Sequence, residues 1–110
     1  MAVKYNAVRV VILRRVPMDK EADLKPLLIE LHSHAIKQPG YSKGQKLRSV
    51  DDPEVHLVLS SWRTLEDWNK WLESEERAGI QGQIDDLLGV QTMYQVYYEC
   101  TKETEEDYSF

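Results

Sequence analysis

Hydrophobic and polar positions along the chain change period several times, and each change marks an element. Residues 7–16, AVRVVILRRV, are apolar on both faces in the middle: Val8, Val10 and Ile12 point one way, Val11 and Leu13 the other. That pattern predicts a strand covered on both sides and lying centrally in a sheet. Pro17 ends it, and Asp19 is positioned to cap a helix. From Lys20 to about Gln38, residues Leu24, Leu27, Leu28, Leu31 and Ala35 repeat at helical spacing, and Pro39-Gly40 stops the run. Tyr41–Val50 is polar, with Lys residues and Gly44, and suits an edge strand. Asp51-Asp52-Pro53 then turns the chain into a strand over Glu54–Trp62. Here Val55, Leu57, Leu59 and Ser61 share one face; His56, Val58, Ser60 and Trp62 share the other.

Thr64 with acidic residues at 66 and 67 reads as a capped helix start, whose buried stripe is Leu65, Trp68, Trp71 and Leu72. Ser74, followed by Glu75-Glu76, reads as a second cap. The helix therefore breaks and restarts, held by Ile80, Ile84, Leu87 and Leu88 and ending at Gly89. Val90–Cys100, rich in aromatic and β-branched residues, is the last strand. The order β-α-β-β-α-β predicts an α+β, ferredoxin-like domain: a four-stranded antiparallel sheet with its helices on one face. Because the third strand is apolar on both sides, the open sheet face needs a cover. A second copy of the chain is the simplest one, giving a homodimer.

Composition narrows the class without naming a function. With 110 residues, 42% hydrophobic and 30% charged, the chain suits one soluble domain, taken as residues 1–100, followed by an acidic tail over 101–110. A net charge of −5 argues against nucleic-acid binding, and no apolar run is long enough to span a bilayer. Lone Cys100 makes a reducing cytoplasm the expected compartment.

All three tryptophans, Trp62, Trp68 and Trp71, fall between the end of the third strand and the following helix, the place for an aromatic-lined pocket. Arg14 shares a face with Val8, Val10 and Ile12. Taking the first and third strands as parallel neighbours places Arg14 near Trp62, with Tyr41 and Lys43 close by. A cation beside an aromatic wall can hold a phenolate, a carboxylate or a reduced oxygen species. The plainer alternative for Arg14 is a surface ion pair. His32 and His34 diverge on their helix, His56 reads as a strand-end histidine, and Trp68 as core. No Ser-His-Asp order, phosphate loop or metal-ligand spacing appears.

PGYSKGQ after the first helix, then LVLSSWRTLEDWNKWLESEER with its W-x-x-x-x-x-W, resembles the antibiotic biosynthesis monooxygenase family of dimeric α/β barrels across residues 7–99. The resemblance implies two chains pairing into such a barrel. It also implies a cofactor-independent monooxygenase of a small aromatic or quinol-type substrate and O2, with no cofactor or metal. Trp62 matches the third-strand Trp of the cofactor-free oxygenases. Val58 stands where they carry an Asn, and Trp68 where they carry a Tyr. In the haem-degrading branch Trp71 matches a helix Trp, Gln81 replaces the iron-binding His, and the first-strand Asn aligns near Arg14. Trp62 and Arg14 are thus the expected catalytic pair, and Trp71, Tyr41, Val58 and His56 the expected substrate contacts. The alternative is a non-catalytic dimer that binds a small ligand; a further one is haem bound through His32 or His34.

Overall fold

The computed structural model describes residues 7–100, so the acidic tail lies outside it. Strand β1 spans Val8–Arg15, helix α1 Glu21–Ala35, β2 Tyr41–Arg48 and β3 Val55–Trp62. Helices α2, Leu65–Leu72, and α3, Glu75–Leu88, precede β4, Tyr94–Tyr98. The sheet order is β2-β3-β1-β4 and every pairing is antiparallel. This is the expected ferredoxin-like α+β fold, with β1 central and β2 at an edge.

One inference about register is overturned. Strands β1 and β3 are antiparallel, so Arg14 lies opposite His56 while Trp62 lies opposite Val8. The reversal follows from the chain path: β2 returns parallel to β1 after the α1 crossover, and the short hairpin then turns β3 back. Arg14 and Trp62 therefore sit at opposite ends of the helix-covered face, six residues or roughly 20 Å apart along the strands. Tyr41 pairs with Trp62, not with Arg14's end, which faces Arg48 across His56.

Local chemistry explains where elements begin and end. Asp19 does not cap α1. Pro17 opens a 3-10 turn, Met18–Lys20, and the Met18 N–H donates to the Glu54 carboxylate at 2.9 Å from the β3 side. Pro26 sits inside α1 on its exposed side, where the carbonyl it leaves free can be hydrated. Both later caps form as expected: Thr64 Oγ1 accepts from Asp67 N at 3.0 Å, and Ser74 Oγ from Arg77 N at 3.2 Å. Gly89 closes α3 at φ 71°, in the left-handed region. The last strand starts four residues later than expected, because Asp85 Oδ1 accepts from both the backbone and the hydroxyl of Thr92 and holds that segment against α3.

Two apolar clusters fill the space between sheet and helices. Val8, Val10, Trp62, Trp68, Trp71 and Ala35 form one; Val16, Leu24, Ile80 and Ile84 form the other, where α1 packs on α3. The opposite sheet face stays open, and Leu13 on it is 67% exposed.

Candidate functional site

Between the helix-covered face of the sheet and the helices lies a cavity of about 290 Å³. One end is aromatic. The Tyr41 ring meets Trp62 edge-on at 5.4 Å, Trp62 meets Trp68 at 5.7 Å, and Trp71 stacks near Trp62 at 6.4 Å. Trp62 is held by donating its Nε1–H to Ser60 Oγ at 3.1 Å. Two glycines fix Tyr41. Gly40 takes φ 85°, and a Cβ there would lie 2.2 Å from Asp67 Oδ2; its carbonyl accepts from Arg63 N at 2.7 Å, tying the start of β2 to the end of β3. At Gly44 a Cβ would come within 2.5 Å of the Tyr41 hydroxyl, so the absent side chain leaves room for that ring.

The other end is polar. Arg77 donates from Nε to the Leu72 carbonyl at 2.8 Å and from Nη1 to the Tyr94 hydroxyl. Tyr94 in turn donates to Gln81 Oε1 at 3.1 Å. Gln81 Nε2 donates to Asp85 Oδ1 at 2.9 Å and Thr92 Oγ1 at 2.7 Å, so this glutamine is fully engaged. Burial raises the Tyr94 pKa, with Arg77 and Arg14 opposing, so its phenol stays protonated at neutral pH.

Arg14 faces this end from β1 and is only 6% exposed. Desolvation lowers its pKa while Tyr94 and Asp85 pull it back up, and a guanidinium stays charged regardless. Its Nε and Nη2 are buried without a hydrogen-bond partner. The surface ion pair considered for Arg14 belongs to its neighbour: Arg15 reaches Asp52 at 2.8 Å and Glu54 at 3.6 Å. Strand alternation explains the difference, since Arg15 points to the solvent face.

Of the residues singled out from sequence, Trp62, Arg14, Trp71, Tyr41 and Val58 line this one cavity. His56 does not. It lies in an adjoining cleft with Glu21, Lys25 and Lys46, and that cleft meets the cavity at Leu28, His32 and Lys46. Burial, then Lys46 and Arg48, lower the His56 pKa, so the ring is neutral, and its buried Nε2 has no partner. Tyr94 and Arg77 are cavity residues that the sequence did not single out. Their signal is weak, because it depends on β4 pairing with β1 so that Tyr94 stands opposite Ile12.

The chain matches the antibiotic biosynthesis monooxygenase family over residues 7–83. It belongs to that family. Among solved structures, a conserved protein of Methanosarcina mazei Go1 superposes with TM-score 0.78 at 20% identity, covering 87% of this chain and 95% of its own. A Nitrosomonas europaea protein named for the same family gives TM-score 0.75 at 18% identity, covering 90% and 95%. SnoaB, a cofactor-independent oxygenase from Streptomyces nogalater, gives 0.70 at 12% identity, covering 88% and 94%. At these identities the likeness is one of fold. No functionally curated protein matches the sequence.

Two of the three positions considered for iron are engaged elsewhere, while His32 lines the cavity, edge-on to Tyr41 at 6.2 Å. Gln81, at the position of the iron ligand in the haem-degrading branch, is committed to Asp85, Thr92 and Tyr94, and an amide is a poor iron ligand. His34 is paired with Glu76 at 3.1 Å. Among the described residues no helix is long and apolar enough to cross a membrane.

Proposed function

We propose that this family member is a cofactor-independent monooxygenase of a small aromatic, quinol-type or phenolic substrate, acting as a homodimer that pairs through the open sheet face. The observation that carries the reading is a buried guanidinium whose Nε and Nη2 have no partner among the described residues, at the polar end of a cavity whose other end is walled by aromatic rings. At about 290 Å³, the cavity is near the lower limit of ligand pockets, which run ~300–1,000 Å³. It suits one or two fused rings.

Trp62 and Trp71 form the aromatic walls, Tyr41 closes the edge, and Arg14 holds an anionic oxygen of the substrate. A cation in a low-dielectric site favours the ionised form of a phenol, which is the electron-rich form that reduces O2. The substrate supplies all the electrons. One C–H bond is lost, one C–O bond forms, and the O–O bond breaks with its second oxygen leaving as water, so a phenol and O2 give a quinone and H2O. Apolar walls keep bulk water away from the anion.

A second reading, a ligand-binding domain without turnover, is favoured by one position. Val58 faces the cavity where the family's oxygenases carry an Asn amide. Oxygen uptake by metal- and flavin-free protein, against a panel of phenols and hydroquinones, separates the two. Enzyme-dependent uptake that falls at least tenfold in Trp62→Phe supports the oxygenase. A flat trace across the panel leaves the binding domain.

A further inference from the structure

The unpartnered atoms of Arg14 are a specific pair. Nε and Nη2 carry the two N–H bonds that run parallel along one edge of a guanidinium, the edge that meets a carboxylate side-on through two hydrogen bonds. Arg14 is 6% exposed, so bulk water does not satisfy this edge, and a buried charge without a hydrogen-bonded counter-charge is costly. No residue among those described supplies a hydrogen-bond partner for it. Asp85, the carboxylate whose charge reaches Arg14, has its Oδ1 engaged with Thr92 and Gln81. Of the other cations lining the cavity, Arg77 is spent on Leu72 and Tyr94, and Lys46 stands opposite Val58 on β2.

We infer that the ligand of this cavity is an aromatic carboxylic acid, its carboxylate docked side-on against Arg14 and its ring extending toward Trp62 and Trp71. The inference deepens the proposed function, and rests on the same cavity, by naming the substrate's anionic group. A planar two-oxygen acceptor fits better than the alternatives. Arg14 is flanked on its own face by Ile12, which stands between Val58 and Tyr94 in the sheet. A phosphate or sulfonate would turn a further charged oxygen toward the aliphatic Ile12 and Val58. A lone phenolate oxygen would have to share both N–H groups in a bent geometry. His56, directly across from Arg14, is neutral and adds no positive charge at that position.

The test is calorimetric titration of the full chain with 2-naphthoate, its neutral isostere 2-naphthamide, and 2-naphthyl phosphate. We expect 2-naphthoate to bind roughly tenfold or more tighter than the amide, the ratio one charge-assisted bidentate pair readily supplies, and tighter than the phosphate. Arg14→Gln should erase the preference, weakening 2-naphthoate far more than 2-naphthamide. Arg14→Lys, which keeps the charge but lacks the fork, should retain only part of it. Equal binding of acid and amide, a preference for the phosphate, no saturable binding of 2-naphthoate, or a preference that survives Arg14→Gln would each overturn the inference. The wild-type comparison stands even if a variant fails to fold. Oxygen uptake tells the two proposals apart: acid-selective binding without uptake with hydroxynaphthoates sinks only the oxygenase, and uptake with neutral phenols without acid selectivity sinks only this inference.

Discussion

Single residues at this site do different work from what their types suggest. Trp62 is 1% exposed and belongs to the core as much as to the cavity, so Trp62→Ala is a poor functional probe. Its removal is expected to cost about 3–5 kcal/mol of stability, which is why the phenylalanine variant serves the activity test. Gly44→Ala would push a methyl into the Tyr41 hydroxyl. Tyr41 should swing away from Trp62, shifting the tryptophan emission maximum and weakening ligand binding severalfold, with little change in thermal stability; an unchanged spectrum would mean that Tyr41 yields without leaving the ring. His56 carries a pH dependence. Its folded pKa is depressed below the ordinary 6.5, first by burial and then by Lys46 and Arg48. As pH falls the unfolded chain takes up the proton first, so the contribution is whole above about pH 6.5 and is lost as pH falls through the folded pKa. The melting temperature should therefore drop between about pH 7 and pH 5, and His56→Asn should flatten that drop. A decline of equal size in the variant would assign it to other groups. Glu21 and Asp52, lowered chiefly by hydrogen bonds to Arg48 and Arg15, act only in the more acidic carboxylate range.

Among the elements, the junction between α2 and α3 controls the polar end of the cavity. Ser74 caps α3 through Arg77 N and donates its own hydroxyl to the Trp71 carbonyl at 2.8 Å, so one side chain joins the two helices. Arg77, three residues on, reaches back to the Leu72 carbonyl and forward to Tyr94 on β4. Ser74→Ala should cost about 1 kcal/mol, a fall of roughly 4–8 °C in melting temperature for a domain of this size. It should also loosen ligand binding through Arg77; a loss of stability with affinity intact would confine Ser74 to capping. The elements themselves were largely legible in the sequence, because caps, glycine stops and apolar periodicity are local signals. Their pairing was harder to read. Treating β1 and β3 as parallel placed Arg14 beside Trp62, whereas antiparallel register puts Val8 opposite Trp62 and carries Arg14 to the far end of the cavity, opposite His56.

At the scale of the whole molecule, the two faces of the sheet have separate fates. One is covered by the helices and encloses the cavity; the other exposes Leu13 at 67% and Leu47 at 41%, beside half-buried Val11, Leu57 and Leu59. An apolar sheet face of this kind is what a second copy would cover. Leu13→Glu should turn the dimer into a folded monomer by light scattering after size-exclusion chromatography. A wild-type chain that is already monomeric at tens of micromolar would end the dimer proposal.

Sequence alone determined the element order, both helix caps of the second half, the edge character of β2 and the concentration of aromatic rings near Trp62. Each depends on residues close together in the chain, where period and hydrogen-bonding side chains act directly. It also identified Arg14, Trp62, Trp71, Tyr41 and Val58, all of which reach one cavity. Tertiary structure alone decided which end of that cavity each occupies, that Tyr94 and Arg77 join them while His56 turns into the neighbouring cleft, and that Arg14 rather than Arg15 is buried without a partner. Those outcomes depend on strand direction and register, which place residues tens of positions apart side by side; no local pattern in the chain encodes that choice.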